Sequence, residues 1–404
     1  MKSEPLVPGS LIGGMLLVAG SCIGAGMLAL PILTGLAGFF PSLTMLFLAW
    51  GGMTFTALLL VEINGWFFGQ VNLLSMAQEA LGKTGRATAW ISYLFLFYTL
   101  LVAYISASGT VFSAIFETIF RIAIPDWAAS LFFTIIFGWI IYLGTRPVDL
   151  FNRVLMAGLI IAYFGMIGFG LFSIHPQYLL HWAPKSLLSS LPVLVVSFGF
   201  HNLIPSLTAY MKGDLKRVRL TILGGSIIVL IIYVLWSLLV LGVVPYSGTN
   251  GILDSYRQGH EATIALRAAL GSSWISQFAQ GFAFFAIITS FLAQGLTLTH
   301  FLADGFKVVP TRDKTRWIIP LVLVPPLIFA FVYPKIFLEA LGFAGGICAM
   351  VLFGILPVLM AWVGRYRKKL TSNYHVRGGR ISLALGFVFS SIIIICEMIR
   401  IVSS

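Results

Sequence analysis

The sequence predicts an all-α polytopic membrane protein with eleven transmembrane helices, arranged as a 5+5 inverted repeat plus one extra C-terminal helix. Three observations carry this fold class. The 404 residues are 59% hydrophobic and only 9% charged, with mean hydropathy +1.00, against roughly 25% charged residues in soluble domains. Apolar runs of about 20 residues, the length that crosses a bilayer as a helix, recur along nearly the whole chain. Glycine and proline interrupt the first and the sixth runs at corresponding places.

With charges and Pro/Gly clusters as borders, the spans lie near 9–35, 38–67, 86–119, 127–145, 150–174, 186–211, 218–245, 272–303, 317–333, 335–363 and 381–402. The first is too long for a signal-peptide core and has no small-residue cleavage site after it, so it belongs to the mature chain. Short connectors leave a single membrane domain over 1–404. Repeat one covers about 9–174, repeat two about 186–363, and the extra helix about 381–402. An odd number of spans per block inserts the second block upside down.

Span one contains VAGSCIGAGMLALP, residues 18–31. Glycine permits unwinding, and Pro31 cannot donate to the carbonyl of Met27. A break between Gly20 and Gly26 would free carbonyls below it and N–H groups above it, and the N-terminus of the upper half-helix would attract a carboxylate. The other reading is that Gly20-x-x-x-Gly24 only lets a neighbouring helix pack closely. Span six tips the balance: it reads LPVLVVSFGFHNLIPSL over 191–207, and Pro205 cannot donate to the carbonyl of His201. Paired broken helices in an inverted repeat point to a transporter's midplane site.

Other ionisable residues sort by depth. Glu117, Asp304, Glu397 and Arg400 lie near span ends, where snorkelling or an i,i+3 Glu397/Arg400 pair suffices. Glu62 lies deeper in span two, with Asn64 after it, and reads equally as a hydrogen-bond anchor or a proton carrier. His201 sits inside the second break beside Phe198 and Phe200, which favours a place in the site over simple packing. Most of the remaining aromatics are packing or interfacial belt. Arg146, Asp149 and Arg153 fall on a cytoplasmic turn, as a solvated loop or an inner-gate network. Cys22, Cys348 and Cys396 show no CxxC or Cys/His spacing, so neither a disulfide frame nor a metal site is expected.

Basic residues set the orientation. A cytoplasmic N-terminus places 19 of the 25 Lys and Arg inside, leaving Arg121, Lys185, Arg257, Arg267, Lys335 and Arg400 outside. The C-terminus is then outside. The same asymmetry accounts for the net charge of +12 as topology and contact with anionic lipid, with no need for nucleic acid.

The motifs VAGSCIGAGMLALP (18–31), AYISASG (103–109), VDLFNR (148–153), SFGFHNLIPS (197–206), TSFLAQGL (289–296), ALGFAGG (340–346) and YHVRGGR (374–380) give a resemblance to the aromatic amino acid permease family over nearly the whole chain. VDLFNR followed by SFGFH at this spacing is its most specific part. The resemblance implies a permease of the amino acid/polyamine/organocation superfamily, with the fold of the sodium-coupled leucine transporter. By position, Gly20, Ser21, Cys22, Gly24, Ala25 and Gly26 would line the main-chain groups of an amino acid, opposite the backbone of Ser197 and Phe198. Phe198, Phe200, His201 and Asn202, with Tyr98, Ala103 and Tyr104, would shape the side-chain pocket.

One departure concerns the coupling ion. Proton-coupled relatives carry a lysine in span five, where this chain has VLMAGLIIAY (154–163) with Leu159 at the equivalent place. Span eight has Ala286-Ile-Ile-Thr289-Ser290, resembling the arrangement by which sodium-coupled relatives supply a carbonyl and two hydroxyls. With the carbonyls of Gly20 and Ile23, that makes five oxygens for a hard cation, although Thr289 and Ser290 equally suit back-bonding within their helix. Either Na+ through these groups or H+ through Glu62 and His201 is the expected coupling cation, with no other cofactor.

The function expected is secondary active symport, by alternating access, importing an aromatic amino acid across a bacterial inner membrane, tyrosine first with tryptophan or phenylalanine as further substrates, and another neutral amino acid as the alternative. No obligate protein partner is implied beyond the lipid bilayer and the substrate. An ion channel lacks a repeated filter segment or charged ring here, and a membrane-embedded enzyme lacks H-E-x-x-H, G-x-S-x-G or a paired acid set.

Overall fold

The computed structural model describes residues 9–67, 72–271, 274–308 and 317–403. Lys2, Arg312, Lys314 and Arg316, all used in the orientation argument, lie outside them. The regular elements of the described residues are helices. The first run forms α1 (Leu11–Cys22) and α2 (Ala25–Gly35), bent by 61° at their junction. Then come α3 (Phe39–Asn64), α4 (Leu73–Phe120), α5 (Asp126–Leu143) and α6 (Thr145–Gly170). The sixth run is α7 (Leu187–Ser197), a 3-10 turn at Phe200–Leu203, and α8 (Ile204–Tyr210).

Helix α9 (Leu215–Val243) follows, then a pair of short helices, α10 (Ile252–Gln258) and α11 (Ala262–Leu270). After α12 (Trp274–Gly305) and α13 (Ile318–Val332), the chain forms α14 (Phe337–Phe343), a π-helical stretch (Ala344–Ile355), α15 (Leu356–Tyr366) and finally α16 (Gly379–Ser403). Among the described residues nine helical segments are long and apolar enough to cross a bilayer, ten with the bent α1/α2 pair counted as one span. Helix α13, with 15 residues, is shorter than the rest. The chain is a multi-pass membrane protein.

Helix α4 begins at Leu73, where Asn72 caps it by accepting the Ser75 N–H at 2.8 Å. Its backbone leaves helical geometry at Gly82, which sets the short stretch 73–81 apart from the membrane span, so the span starts close to the expected position near 86. Arg146, Asp149 and Arg153 lie in the first turns of α6, not on a free loop. Arg153 pairs with Asp149 at 2.8 Å on the exposed surface, an i,i+4 contact worth about 0.5 kcal/mol at most.

Packing explains where the site sits. Helix α9 lies against α1, α2 and α3; α12 runs along α6 and α4; α7 is held between α2, α3 and the π-helical stretch. Gly345 in that stretch abuts the carbonyl of Pro192, so any side chain there would push α7 away. The largest buried side chains include Trp236, Tyr233, Phe133, Phe198 and Phe282, whereas Ile161, Phe164, Leu385 and Val402 point outward as lipid-facing positions do. Glu397 and Arg400 form the i,i+3 pair, at 2.9 and 2.6 Å.

Candidate functional site

The first break is held open by partners from distant helices. Helix α1 ends where Ile23 N–H donates to Ala19, and α2 restarts with Met27 N–H on the Gly24 carbonyl, both at 3.0 Å. The Ala25 N–H, an orphan at the start of α2, donates to Ser290 Oγ of α12 at 2.9 Å. Gly24 lies so close to Ser290 that an added Cβ would displace the hydroxyl from the Ala25 N–H. The carbonyl of Met27, which Pro31 leaves without a helical donor, accepts the Trp236 indole N–H at 2.9 Å.

The second break closes mostly on itself. Ile204 N–H bonds the His201 carbonyl that Pro205 cannot serve, within the 3-10 turn. Phe198 and Gly199 N–H groups donate to Val195 and Val196. His201 is fully buried, with Nε2 2.9 Å from Thr56 Oγ1 and its ring stacked on Phe353, centroids 4.8 Å apart. Tyr233 of α9 joins the two breaks: its hydroxyl lies 2.8 Å from the carbonyls of both Cys22 and Ser197.

Between the breaks lies a cavity of about 220 Å³. Every residue from Gly20 to Gly26 lines it, opposite Ser197, Gly199 and Asn202. Leu96, Phe97, Leu100 and Phe353 make an apolar wall, while Tyr104, Thr289 and Ser290 add hydroxyls. Asn152, Met156, Gln294 and Thr297 extend the lining toward the Thr145 end of α6 and the Gly305 end of α12. On the other side α10 and α11 pack against α2.

Of the expected substrate positions, Gly20, Ser21, Cys22, Gly24, Ala25, Gly26, Tyr104, Ser197 and Asn202 are brought together here. Tyr98, Ala103, Phe198, Phe200 and His201 are not among the lining residues. Tyr98 lies about 120° around α4 from Tyr104, and its hydroxyl donates to Leu321 at 2.7 Å. Ala103 is one residue, about 100°, off the same stripe. Phe198 packs edge-on against Tyr233, and Phe200 stacks with His201. Sequence reasoning missed Leu96 and Leu100, which follow from Tyr104 at i−8 and i−4, and Gln294, one turn beyond Ser290.

Of the cation candidates, Gly20, Ile23, Thr289 and Ser290 line the cavity, while Ala286 lies behind them. Thr289 back-bonds, its hydroxyl reaching the carbonyls of Phe285 and Ala286 at 2.9 and 3.2 Å. Glu62 is placed as an anchor. Its carboxylate receives Arg365 Nε and Nη2 at 2.8 and 2.6 Å, the Val376 N–H at 2.7 Å, and stands 3.1 Å from His375 Nδ1. A proton-carrying role would require this buried pair to part. Leu159 is buried on the Asn152/Met156 face of α6.

The chain matches the sequence model of the tryptophan/tyrosine permease family over residues 8–397. It is 36% identical to the "Tyrosine-specific transport system 1" of Haemophilus influenzae over 388 residues, 95% of each chain. It is 31% identical to that organism's "Tryptophan-specific transport protein" over 404 residues, 96% of each. With the "Tryptophan-specific transport protein" of Shigella flexneri the identity is 30% over 386 residues, 94% of this chain and 92% of the relative.

Proposed function

The chain belongs to the tryptophan/tyrosine permease family, and on that premise we propose that it is a secondary active symporter importing an aromatic amino acid across the bacterial inner membrane. The observation that carries this reading is the first break, where all seven residues from Gly20 to Gly26 face one cavity. The start of α2 suits a carboxylate, the lower carbonyls suit an ammonium, and the apolar wall of Leu96, Phe97, Leu100 and Phe353 suits a ring. The family and the relatives are transport proteins, two of them named for tryptophan and one for tyrosine.

In this reading α13 is the ninth of eleven spans: its 15 residues reach about 22 Å, and Trp317 and Tyr333 flank it as interfacial anchors. The two five-span blocks are then inverted repeats of a leucine-transporter-like fold, and transport proceeds by alternating access as one bundle rocks against the other. With the N-terminus inside, the cavity extends toward the cytoplasm, and α10 and α11 cover its outer side.

For coupling we favour sodium, held by the carbonyls of Gly20, Ile23 and Ala286 with the hydroxyls of Thr289 and Ser290. Thr289 and Ser290 keep oxygen lone pairs free even while their protons or one lone pair serve other bonds. Glu62, bound to Arg365, and Leu159 in span five offer little to a proton mechanism.

Uptake into proteoliposomes, with sodium and pH gradients varied independently and each aromatic amino acid as competitor, tests both parts. Saturable uptake of unchanged tyrosine or tryptophan is expected, stimulated by sodium in the parent but not in the Thr289→Ala/Ser290→Ala double variant. Uptake driven equally by a pH gradient without sodium, and unaffected in the double variant, would return attention to His201 and Glu62.

A further inference from the structure

The far end of the same cavity carries two amide side chains that the reading so far does not use. Gln294 of α12 and Asn152 of α6 both line it, and Gln294 Oε1 and Asn152 Oδ1 are buried without a hydrogen-bond partner among the described residues. A buried acceptor left unpaired costs about 1–3 kcal/mol, so it is retained where something else satisfies it. Position says what that is. Gln294 lies one turn, about 6 Å along the axis, beyond Ser290, whose hydroxyl holds the Ala25 N–H at the mouth of the first break. That is close to the distance from the α-carbon of an aromatic amino acid to the far edge of its ring. Leu100 belongs to the apolar wall of the same cavity.

We propose that Gln294, assisted by Asn152, reads the polar tip of the substrate ring, accepting a hydrogen bond from a phenol O–H or an indole N–H and thereby discriminating against phenylalanine. The inference rests on the aromatic transport reading above and deepens it. A site built to hydrogen-bond a donor rejects the analogue lacking it, because the acceptor is then desolvated for nothing. The cavity extends toward one end of the bundle, which softens the penalty, so about 10- to 100-fold is expected, well below the limit for a sealed site.

The test is competition against labelled tyrosine and tryptophan in proteoliposomes of the full chain, using phenylalanine and 4-fluorophenylalanine. In the parent both donor-free analogues should compete at least about 10-fold more weakly than tyrosine. Gln294→Met, which keeps the length of the side chain, should bring tyrosine and phenylalanine within about threefold, by weakening tyrosine and not by tightening phenylalanine. Equal competition by tyrosine and 4-fluorophenylalanine in the parent overturns the proposal without recourse to any variant. So does an unmoved ratio in a Gln294→Met protein that still transports. Failure of the parent to take up any aromatic amino acid overturns the transport reading itself.

Discussion

The two breaks use the same materials, a glycine and a proline inside an apolar helix, to opposite ends. The first exposes backbone: its orphan groups are met by side chains from α9 and α12 and by the cavity. The second mends most of its backbone locally in a 3-10 turn, leaves the Ser197 carbonyl to Tyr233, turns Ser197, Gly199 and Asn202 to the cavity, and hides His201, bonded to Thr56 and stacked on Phe353. A helix breaker by itself therefore announces an irregularity and not a site. What decides is whether the freed groups find partners within three or four residues or across the bundle.

The sharpest way to break this comparison is to fill the first break. A Cβ at Gly26 meets nothing nearer than Ser197 Oγ at 3.7 Å, so Gly26→Val should fold and place its methyl groups in the cavity. Substrate affinity should fall by about 100-fold or more, about 2.7 kcal/mol, with the protein still monodisperse. Unaltered binding would show that the site lies elsewhere.

Next in size is the second break. His201→Ala removes the Thr56 hydrogen bond and the stacking on Phe353, and should lower stability by about 2 kcal/mol in a thermal unfolding assay. Affinity measured on the folded fraction should stay within about threefold. A large loss of affinity at unchanged stability would make the two breaks alike after all.

The smallest effect concerns the pair α10–α11, which packs on α2. Glu261 caps α11 by accepting the Thr263 N–H and hydroxyl at 2.6 and 2.5 Å. Burial nonetheless pushes its carboxyl up to about 7, against the opposing pull of Thr263 and Arg267. Asp126, His260 and Lys335 line the same small recess. Because the folded state holds the proton more tightly than the unfolded chain, stability conferred below pH about 4.5 is lost as the pH rises through 7. The slope is about 1.4 kcal/mol per pH unit at most. The protection factors for hydrogen exchange in 252–270, with intrinsic exchange divided out, should therefore fall between pH 5 and 7, and Glu261→Gln should flatten that dependence; an unchanged slope in the variant would remove Glu261 from the account.

Much of this was legible in the sequence. Glycine and proline located both breaks to within a few residues, and each predicted apolar run coincides with helical structure. The faces were harder. The resemblance groups Tyr98 and Ala103 with Tyr104, whereas helical periodicity separates them and selects Leu100 and Leu96 instead. Partners were hardest of all: Trp236 meets Met27 across 209 residues and Arg365 meets Glu62 across 303, distances over which no local pattern in the chain carries information. The anchor reading of Glu62 was available from the start, but choosing it needed Arg365 in view.

Tyr233 has one proton and stands before two carbonyls, one from each broken span. A hydroxyl hydrogen can point along only one line at a time, so the two acceptors share it, each satisfied in turn or both at a poor angle. Such a joint is firm enough to keep the halves in register and cheap to loosen, because swinging the hydrogen fully to one side compensates for most of what the other loses. If the proposed transport cycle tilts one broken span while the other stays put, a fastening of that kind lets it do so without leaving the buried hydroxyl unpaired.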